Sequence, residues 1–87
     1  MSEPQVTLYT KFGCPYCARA KRLLDEKGVA YTDHDISMGG AKRDEMLARA
    51  PDARTVPQIF IGDTHVGGSD DLAALEQAGK LDALLAG

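Results

Sequence analysis

The sequence predicts an α/β fold in which helices flank a four-stranded mixed sheet, in the order β-α-β-α-β-β-α. Three observations support this prediction. A β-rich run at Val6–Thr10 is followed by a segment with helical periodicity and then by a second apolar run, as in a parallel β-α-β unit. Gly62-Asp63 is a turn signal between the short strand Gln58–Ile61 and the segment Thr64-His65-Val66, which is the pattern of an antiparallel hairpin. Leucines at helical spacing follow towards the end of the chain.

The size and composition of the chain are those of an ordinary soluble globular domain. The 87 residues, 44% hydrophobic and 26% charged, predict one domain spanning 1–87, with residues 1–5 as a frayed polar lead-in. A net charge of −3 disfavours nucleic acid as the main partner. No apolar run approaches the ~18 residues of a membrane span, and we expect no signal peptide before Val6. We therefore expect a monomeric cytoplasmic protein with neither a membrane nor a nucleic-acid partner.

The first half of the chain is predicted to contain two strands and two helices. Val6–Thr10 is expected to be a central strand, because its apolar residues are β-branched or aromatic. A helix is predicted from Pro15 to about residue 27, with Gly28 at the C′ position. Residues 29–36 are predicted to form the second strand and residues 41–50 the second helix. The side chains expected to face inward from the two helices are Cys17, Ala20, Leu23, Leu24, Met46, Leu47 and Ala50.

The second half is predicted to contain a hairpin followed by helices. Gln58–Ile61 and residues 64–66 are the expected hairpin strands. A helix is expected from about Asp71 to residue 78, with Ser69 or Asp70 as its N-cap. A last short helix on the same core is predicted from the spacing of Leu81, Leu84 and Leu85.

A pair of cysteines dominates the chemistry of the sequence. Cys14 and Cys17 are the only cysteines, and Pro15 between them suits the first position of a helix. Cys14 should then lie at or beside the N-cap, where free backbone N–H groups and the helix dipole stabilise a thiolate. The segment 11–22 carries four basic residues and no acid. Two cysteines in a chain of this kind favour catalysis or metal binding over a structural disulfide.

Three motifs in this order carry a family resemblance. Cys14-Pro15-Tyr16-Cys17 beside a β-α-β unit is typical of thioredoxin-like redox proteins. Together with Thr55-Val56-Pro57 and Gly67-Gly68-Ser69-Asp70-Asp71, it resembles dithiol glutaredoxins of the short bacterial type over nearly the whole chain.

The resemblance implies a thioredoxin-like fold and an enzyme, a glutathione-dependent thiol–disulfide oxidoreductase. Its substrates would be protein disulfides and protein–glutathione mixed disulfides, with Cys14 as nucleophile and Cys17 as resolving thiol. No tightly bound cofactor is implied. Glutathione would be the reducing co-substrate, regenerated by NADPH and glutathione reductase. The implied protein partners are disulfide-containing or glutathionylated proteins, ribonucleotide reductase among them.

The resemblance also implies a glutathione site. A lysine would bind the glycyl carboxylate, and an aromatic side chain would form one wall. The main chain before a cis-proline would pair with the peptide, and a glycine would admit it to a helix N-terminus that holds the γ-glutamyl carboxylate. These residues are Lys11, Tyr16, Thr55, Val56, Pro57, Gly68, Ser69 and Asp70. Many relatives carry Cys or Tyr at the position of Ser69, so any reaction that needs a third thiol is absent here.

Three alternative functions are open at this point. A zinc module would need ligands beyond the cysteines, and the spacing of His34 and His65 fits no zinc-finger pattern. An iron–sulfur carrier would share a cluster across a dimer through the first cysteine and glutathione, and the proline after Cys14 disfavours it within the family. A thioredoxin-reductase-dependent redoxin is disfavoured by the absence of tryptophan and by the glutathione-side motifs.

Overall fold

The computed structural model describes residues 4–86, and it has the element order that the sequence predicts. The strands are β1 (Val6–Thr10), β2 (Thr32–Asp35), β3 (Gln58–Ile61) and β4 (Thr64–Gly67). The helices are α1 (Pro15–Glu26), α2 (Ala41–Arg49), α3 (Ser69–Gln77) and α4 (Leu81–Ala86).

The four strands form one mixed sheet in the order β2-β1-β3-β4. β1 runs parallel to β2, with Thr7 opposite Thr32, and antiparallel to β3. β3 and β4 form the predicted antiparallel hairpin, which has an irregularity in register between Ile59 and Phe60. The central position predicted for the first strand is confirmed.

Hydrophobic clusters cover both faces of this sheet, because successive side chains of a strand point to opposite faces. On one face, β1 and β3 pack against α1, α3 and α4 through Val6, Leu8, Ala20, Leu24, Ile59, Ile61, Leu72, Leu81 and Leu85. On the other face they pack against α2 through Tyr9, Ile36, Met46, Ala50 and Phe60. The sheet therefore lies between helices, and the last short helix shares the core of α1 as predicted.

The second strand is shorter than predicted. We expected residues 29–36, whereas β2 covers Thr32–Asp35. Its partner β1 has only five residues, of which Thr7 to Thr10 pair with β2. Val29 and Tyr31 pack their side chains against the first cluster without pairing in the ladder. Val29 and Tyr31 are apolar because they pack against this cluster, and this made the segment look like part of a strand.

The start of α3 also differs from the prediction. The helix begins at Ser69 rather than Asp71, and Gly68 is its N-cap, so neither Ser69 nor Asp70 caps it. The Asp71 carboxylate reaches back and accepts a hydrogen bond from the Gly68 N–H at 2.9 Å. Ser69 and Asp70 therefore lie in the first turn, where backbone N–H groups are free of intrahelical partners. α1 and α2 each end one residue earlier than predicted, at Glu26 and Arg49.

The predicted frayed lead-in is only partly described by the structure. Residues 1–3 lie outside the described residues. The carbonyl of Gln5 accepts a hydrogen bond from the Gly62 N–H at 2.8 Å, which connects the end of this segment to the hairpin. Between residues 4 and 86, none of the helices has the length and apolar character needed to cross a membrane.

Candidate active site

The two cysteines lie at the start of α1. Cys14 is the N-cap, with extended backbone at φ −85° and ψ 116°, and Pro15 opens the helix. Cys14 is partly exposed, whereas Cys17 in the first turn is 2% exposed. The sequence folds this way because proline fixes a helical φ at a position whose N–H has no intrahelical partner.

The pKa of the Cys14 thiol is lowered below its ordinary value. Burial acts in the opposite direction, but hydrogen bonds from the Cys17 N–H, the Cys17 thiol and the Tyr16 N–H outweigh it. The positive charge of Lys11 adds to the lowering. The sulfur of Cys14 is therefore favoured as the thiolate, which is the nucleophilic form of cysteine.

The pKa of the Cys17 thiol is shifted the other way, to about 11. Burial is the largest cause, and the hydrogen bond and negative charge of Cys14 add to it. The Lys11 N–H and the charge of Lys21 oppose the rise without cancelling it. One helical turn thus holds a thiolate and a protonated thiol that donates to it, and the two groups are chemically inequivalent.

A groove of roughly 680 Å³ opens beside Tyr16. It is walled by residues 49–58, by His65 and by the segment 67–71 that leads into α3. The Val56–Pro57 peptide bond is cis, as the resemblance implied. The Cys14 sulfur lies 3.9 Å from the Val56 carbonyl oxygen, which places the nucleophile next to the groove; it can donate a hydrogen bond there only as the protonated thiol. The predicted site residues that the structure brings together here are Tyr16, Thr55, Val56, Pro57, Gly68, Ser69 and Asp70.

Lys11 lies on the other side of Cys14. It lines a second cavity of roughly 450 Å³ together with Phe12, Cys14 and Cys17. The predicted site residues are therefore divided between two cavities, and Cys14 stands between them. A ligand that touches both Lys11 and the N-terminus of α3 has to cross the nucleophile.

An ion pair that the sequence did not predict lines the second cavity. Lys21 Nζ lies 2.5 Å from Asp33 Oδ2, and the Thr10 hydroxyl donates to Asp33 Oδ1 at 2.6 Å. The hydrogen bond that the Lys21 ammonium donates to Asp33 is the main cause that raises the pKa of Lys21. Lys21 thus holds a fixed positive charge near Cys17. The basic run at 11–22 was visible in the sequence, but only the parallel pairing of β1 and β2 brings Asp33 to it.

Polar residues missed by the sequence reasoning also line the groove: Arg49, Asp52, Arg54, Gln58, His65 and Asp71. Gln58 Nε2 donates to the Thr55 carbonyl at 2.9 Å, and Gln58 Oε1 lies 2.7 Å from His65 Nε2. Because the Gln58 oxygen can only accept, His65 Nε2 must carry a hydrogen. These two hydrogen bonds hold the Thr55 carbonyl, which precedes Val56, in place. No pattern in the sequence indicated it.

Two neighbouring glycines at the rim of the groove differ in what they allow. Gly67 has φ +113°, and a Cβ there would lie 2.3 Å from Asp71 Oδ2. Gly68 has φ −97°, which any residue adopts, and its Cβ would lie 3.6 Å from the Pro57 carbonyl oxygen, an ordinary contact. The backbone therefore requires glycine at position 67, whereas position 68 is open towards the groove. The sequence reasoning assigned a role to Gly68 and missed the requirement at Gly67.

The two histidines pack on aromatic rings. The ring of His34 lies 5.4 Å from that of Tyr9, and the ring of His65 lies 4.7 Å from that of Phe60. In the part of the chain that the structure describes, no group of three or more His, Cys, Asp or Glu residues is placed to hold a metal ion.

Comparison with known proteins gives one consistent result. The sequence model of the glutaredoxin family matches residues 6–66. A protein of Pseudomonas aeruginosa named glutaredoxin is 57% identical over 82 residues, which cover 94% of this chain and 96% of that protein. The solution structure of glutaredoxin from Brucella melitensis superposes with a TM-score of 0.83 at 53% identity, covering 99% of this chain and 92% of that one. A crystal structure of a buckwheat glutaredoxin–glutathione complex superposes with a TM-score of 0.82 at 32% identity, covering 95% and 76%.

Proposed function

The chain belongs to the glutaredoxin family of thiol–disulfide oxidoreductases, and from this membership we propose that it reduces protein disulfides and protein–glutathione mixed disulfides at the expense of glutathione. The observation that carries the proposal is the placement of two thiols in one helical turn, Cys14 partly exposed at the N-cap and Cys17 buried; this placement lowers the pKa of Cys14 and raises the pKa of Cys17. Cys14 is the nucleophile, and Cys17 is the resolving thiol.

With a glutathionylated protein, the Cys14 thiolate attacks the glutathione sulfur. The bond between glutathione and the protein breaks, and the protein leaves as a thiolate that takes a proton from solvent. Cys14 is then joined to glutathione. The thiolate of a second glutathione attacks the glutathione sulfur of this mixed disulfide, which releases oxidised glutathione and restores the Cys14 thiolate.

With a protein disulfide, the same thiolate attacks one sulfur of the substrate and forms a mixed disulfide with it. Cys17 then loses its proton and attacks the Cys14 sulfur, which releases the reduced protein and leaves a Cys14–Cys17 disulfide. Two molecules of glutathione reduce this disulfide. The raised pKa of Cys17 keeps this thiol protonated until the substrate has bonded to Cys14, and bonding removes the negative charge that contributed to the rise.

The lowered pKa of Cys14 contributes to turnover more than to the first attack. It raises the fraction of thiolate at neutral pH, but intrinsic nucleophilicity falls as the pKa falls, with a Brønsted slope of about 0.4–0.5. These effects oppose each other in the first step. In the second step Cys14 is the leaving group, and a thiol of lower pKa leaves faster. The Tyr16 and Cys17 hydrogen bonds to the sulfur therefore favour its displacement by glutathione.

Glutathione is proposed to occupy the groove beside Tyr16, and the likeness of this chain to a glutaredoxin that was crystallised with glutathione supports a glutathione site in this fold. The N–H groups of Ser69 and Asp70 in the first turn of α3 suit its γ-glutamyl carboxylate. The main chain of Val56 suits its middle, and Lys11 suits its glycyl carboxylate across Cys14. Because the dithiol must stay reduced to act, we place the reaction in the cytoplasm, where thiols are kept reduced.

The proposal is tested by a coupled assay with NADPH, glutathione, glutathione reductase and a glutathionylated peptide. A parallel reaction contains thioredoxin reductase instead of the glutathione system. Turnover is expected only with glutathione. Cys14→Ser is expected to abolish activity, whereas Cys17→Ser is expected to retain deglutathionylation, because glutathione itself resolves the mixed disulfide. Equal loss in both variants, or turnover driven by thioredoxin reductase alone, would contradict the assignment.

A further inference from the structure

The thiol of Cys17 has to lose its proton before it can attack the Cys14 sulfur. This thiol is 2% exposed, and its pKa is raised to about 11, mainly by burial. A thiolate that forms in a buried place lacks the hydration that stabilises its charge in water. A positive group close to the sulfur would replace part of that lost stabilisation.

Lys21 lies one helical turn after Cys17 on α1. Residues four positions apart lie on the same face of a helix, and both of these residues line the second cavity. The charge of Lys21 acts to lower the pKa of Cys17, and the charge of a Cys17 thiolate acts to raise the pKa of Lys21. The Lys21 ammonium is therefore close enough to stabilise a negative charge on the Cys17 sulfur.

Asp33 holds the Lys21 ammonium in this position from β2. Lys21 Nζ lies 2.5 Å from Asp33 Oδ2, and the Thr10 hydroxyl donates to Asp33 Oδ1 at 2.6 Å. The side chains of Lys21 and Asp33 are 34% and 28% exposed, so this pair is partly shielded from solvent, and salt screens such a pair less than a fully exposed one. The ammonium is thus kept at the wall of the cavity instead of moving freely in water.

Two other charged side chains line the same cavity, Lys11 and Asp35. The charge of Lys11 lowers the pKa of Cys14, whereas the contribution of Lys11 to Cys17 comes from its backbone N–H. Asp35 is a carboxylate, and a negative charge disfavours a second one nearby. The two lysines of this cavity therefore serve different thiols, Lys11 the nucleophile and Lys21 the resolving thiol.

We infer that Lys21, held by Asp33, stabilises the Cys17 thiolate as it forms and thereby speeds the resolution of the mixed disulfide. In this step the Cys17 proton passes to solvent, and the thiolate attacks the Cys14 sulfur. A Cys14–Cys17 disulfide forms, and the substrate leaves as a thiolate that takes up a proton. This inference rests on the proposed function, because it concerns the second step of the same reaction. It does not extend to deglutathionylation, in which glutathione takes the place of Cys17.

The test separates the two steps with the neutral disulfide dithiodipyridine. One equivalent is mixed with the reduced protein in a stopped-flow spectrometer over a range of pH. A thiopyridone is released when Cys14 attacks the reagent, and a second one is released when Cys17 attacks Cys14. Cys17→Ser is expected to lose the second release, which identifies the two phases.

Lys21→Met is expected to act on the second phase alone. Its pH midpoint should rise by about one unit, as expected for the loss of a nearby opposite charge. At neutral pH the second phase should slow about threefold, because about tenfold less thiolate is partly offset by a higher intrinsic nucleophilicity. Lys21→Gln, whose amide still donates to Asp33, carries the same expectation if Lys21→Met fails to fold.

Three control variants separate the charge of Lys21 from a merely structural role. Lys21→Arg keeps the charge and is expected to keep the midpoint. Asp33→Asn removes a negative charge while its amide still accepts from Lys21 and donates to the Thr10 hydroxyl, so the midpoint is expected to fall. Lys27→Met removes an ion-paired lysine at the far end of α1, ~15 Å from Cys17 along the helix axis, and is expected to change neither phase.

The outcomes that contradict the inference differ from those that contradict the proposed function. A second phase that is unchanged without the Lys21 charge, or that slows equally in Lys21→Arg, overturns the inference alone. An Asp33→Asn variant that is slowed as much as Lys21→Met also overturns it, because the carboxylate would then act by taking the proton or by holding the structure. A wild type with no second release, or a Cys17→Ser variant that keeps it, overturns the proposed role of Cys17 and the inference with it.

Discussion

Replacing Gly67 with alanine is expected to destabilise the fold strongly, although the change adds only one methyl group. Gly67 has φ +113°, a conformation that residues with a Cβ rarely adopt. The added Cβ would also lie 2.3 Å from Asp71 Oδ2 and 3.2 Å from Asp71 Cβ. The Asp71 side chain cannot move away freely, because its carboxylate accepts the hydrogen bond from the Gly68 N–H that caps α3.

The expected size of the effect follows from these two contributions. A non-glycine residue held in such a backbone conformation costs about 1–3 kcal/mol. Displacing the carboxylate removes a capping interaction worth about 1 kcal/mol. The free energy of unfolding is therefore expected to fall by about 2–4 kcal/mol. At ~4–8 °C per kcal/mol for a domain of this size, the melting temperature falls by at least about 8 °C.

Gly68→Ala is the matched control, one residue away on the same rim. Its φ of −97° is open to alanine, and the new Cβ meets the Pro57 carbonyl oxygen at an ordinary 3.6 Å. Urea denaturation of both variants is expected to show the loss of stability in Gly67→Ala alone. Asp71→Ala separates the two contributions, because the double variant Gly67→Ala/Asp71→Ala should lose less than the sum of the single variants. A Gly67→Ala variant within about 0.5 kcal/mol of the wild type, or equal losses at positions 67 and 68, would refute the reasoning.

Three further predictions concern the thiols and their surroundings. Because the pKa of Cys14 is lowered, its alkylation by iodoacetamide is expected to remain fast at pH values where an ordinary thiol is protonated, and to slow only as the pH falls through the lowered pKa. Cys17, with a pKa of about 11, is expected to react only in strong alkali. If both thiols showed the same midpoint pH of alkylation, this assignment would be contradicted. Lys11→Ala is expected to move the Cys14 midpoint to higher pH and to weaken glutathione use, measured as kcat/KM, about two- to fivefold, since an exposed ion pair is worth ~0–1 kcal/mol. Reconstitution with iron, sulfide and glutathione is expected to leave a colourless monomer, and a coloured dimer on size exclusion would favour the iron–sulfur carrier.

The sequence predicted those features that residues close together in the chain determine, such as the start and end of α1 and the hairpin turn. Pro15 fixed the start of α1, and with it the position of Cys14 at the N-cap. The turn at Gly62 indicated the hairpin, and Gly28 with φ +71° ends α1 as a C′ glycine should. The sequence pattern failed for β2, because the length of that strand depends on the length of its partner β1.

The sequence indicated which residues line the candidate site, but it did not indicate how they are arranged around Cys14. Thr55 to Pro57 and Gly68 to Asp70 do line one groove. The position of Lys11 on the other side of Cys14 depends on how the loop after β1 folds, and that loop is held by Ser37, 25 positions away from Phe12. The pairing of Lys21 with Asp33 likewise needs the parallel register of two strands. Contacts between segments distant in the chain cannot be deduced from local spacing.

The two outer strands of the sheet restrict how another chain could join it. β2 carries Asp33 and Asp35 among its four residues, and charged side chains on an edge strand oppose pairing with a further strand. β4 is equally short, and the irregularity in its register with β3 interrupts the regular ladder at this edge. A sheet with such edges is a poor template for edge-to-edge aggregation. We therefore do not expect a polypeptide substrate to bind by adding a strand along either side of the sheet.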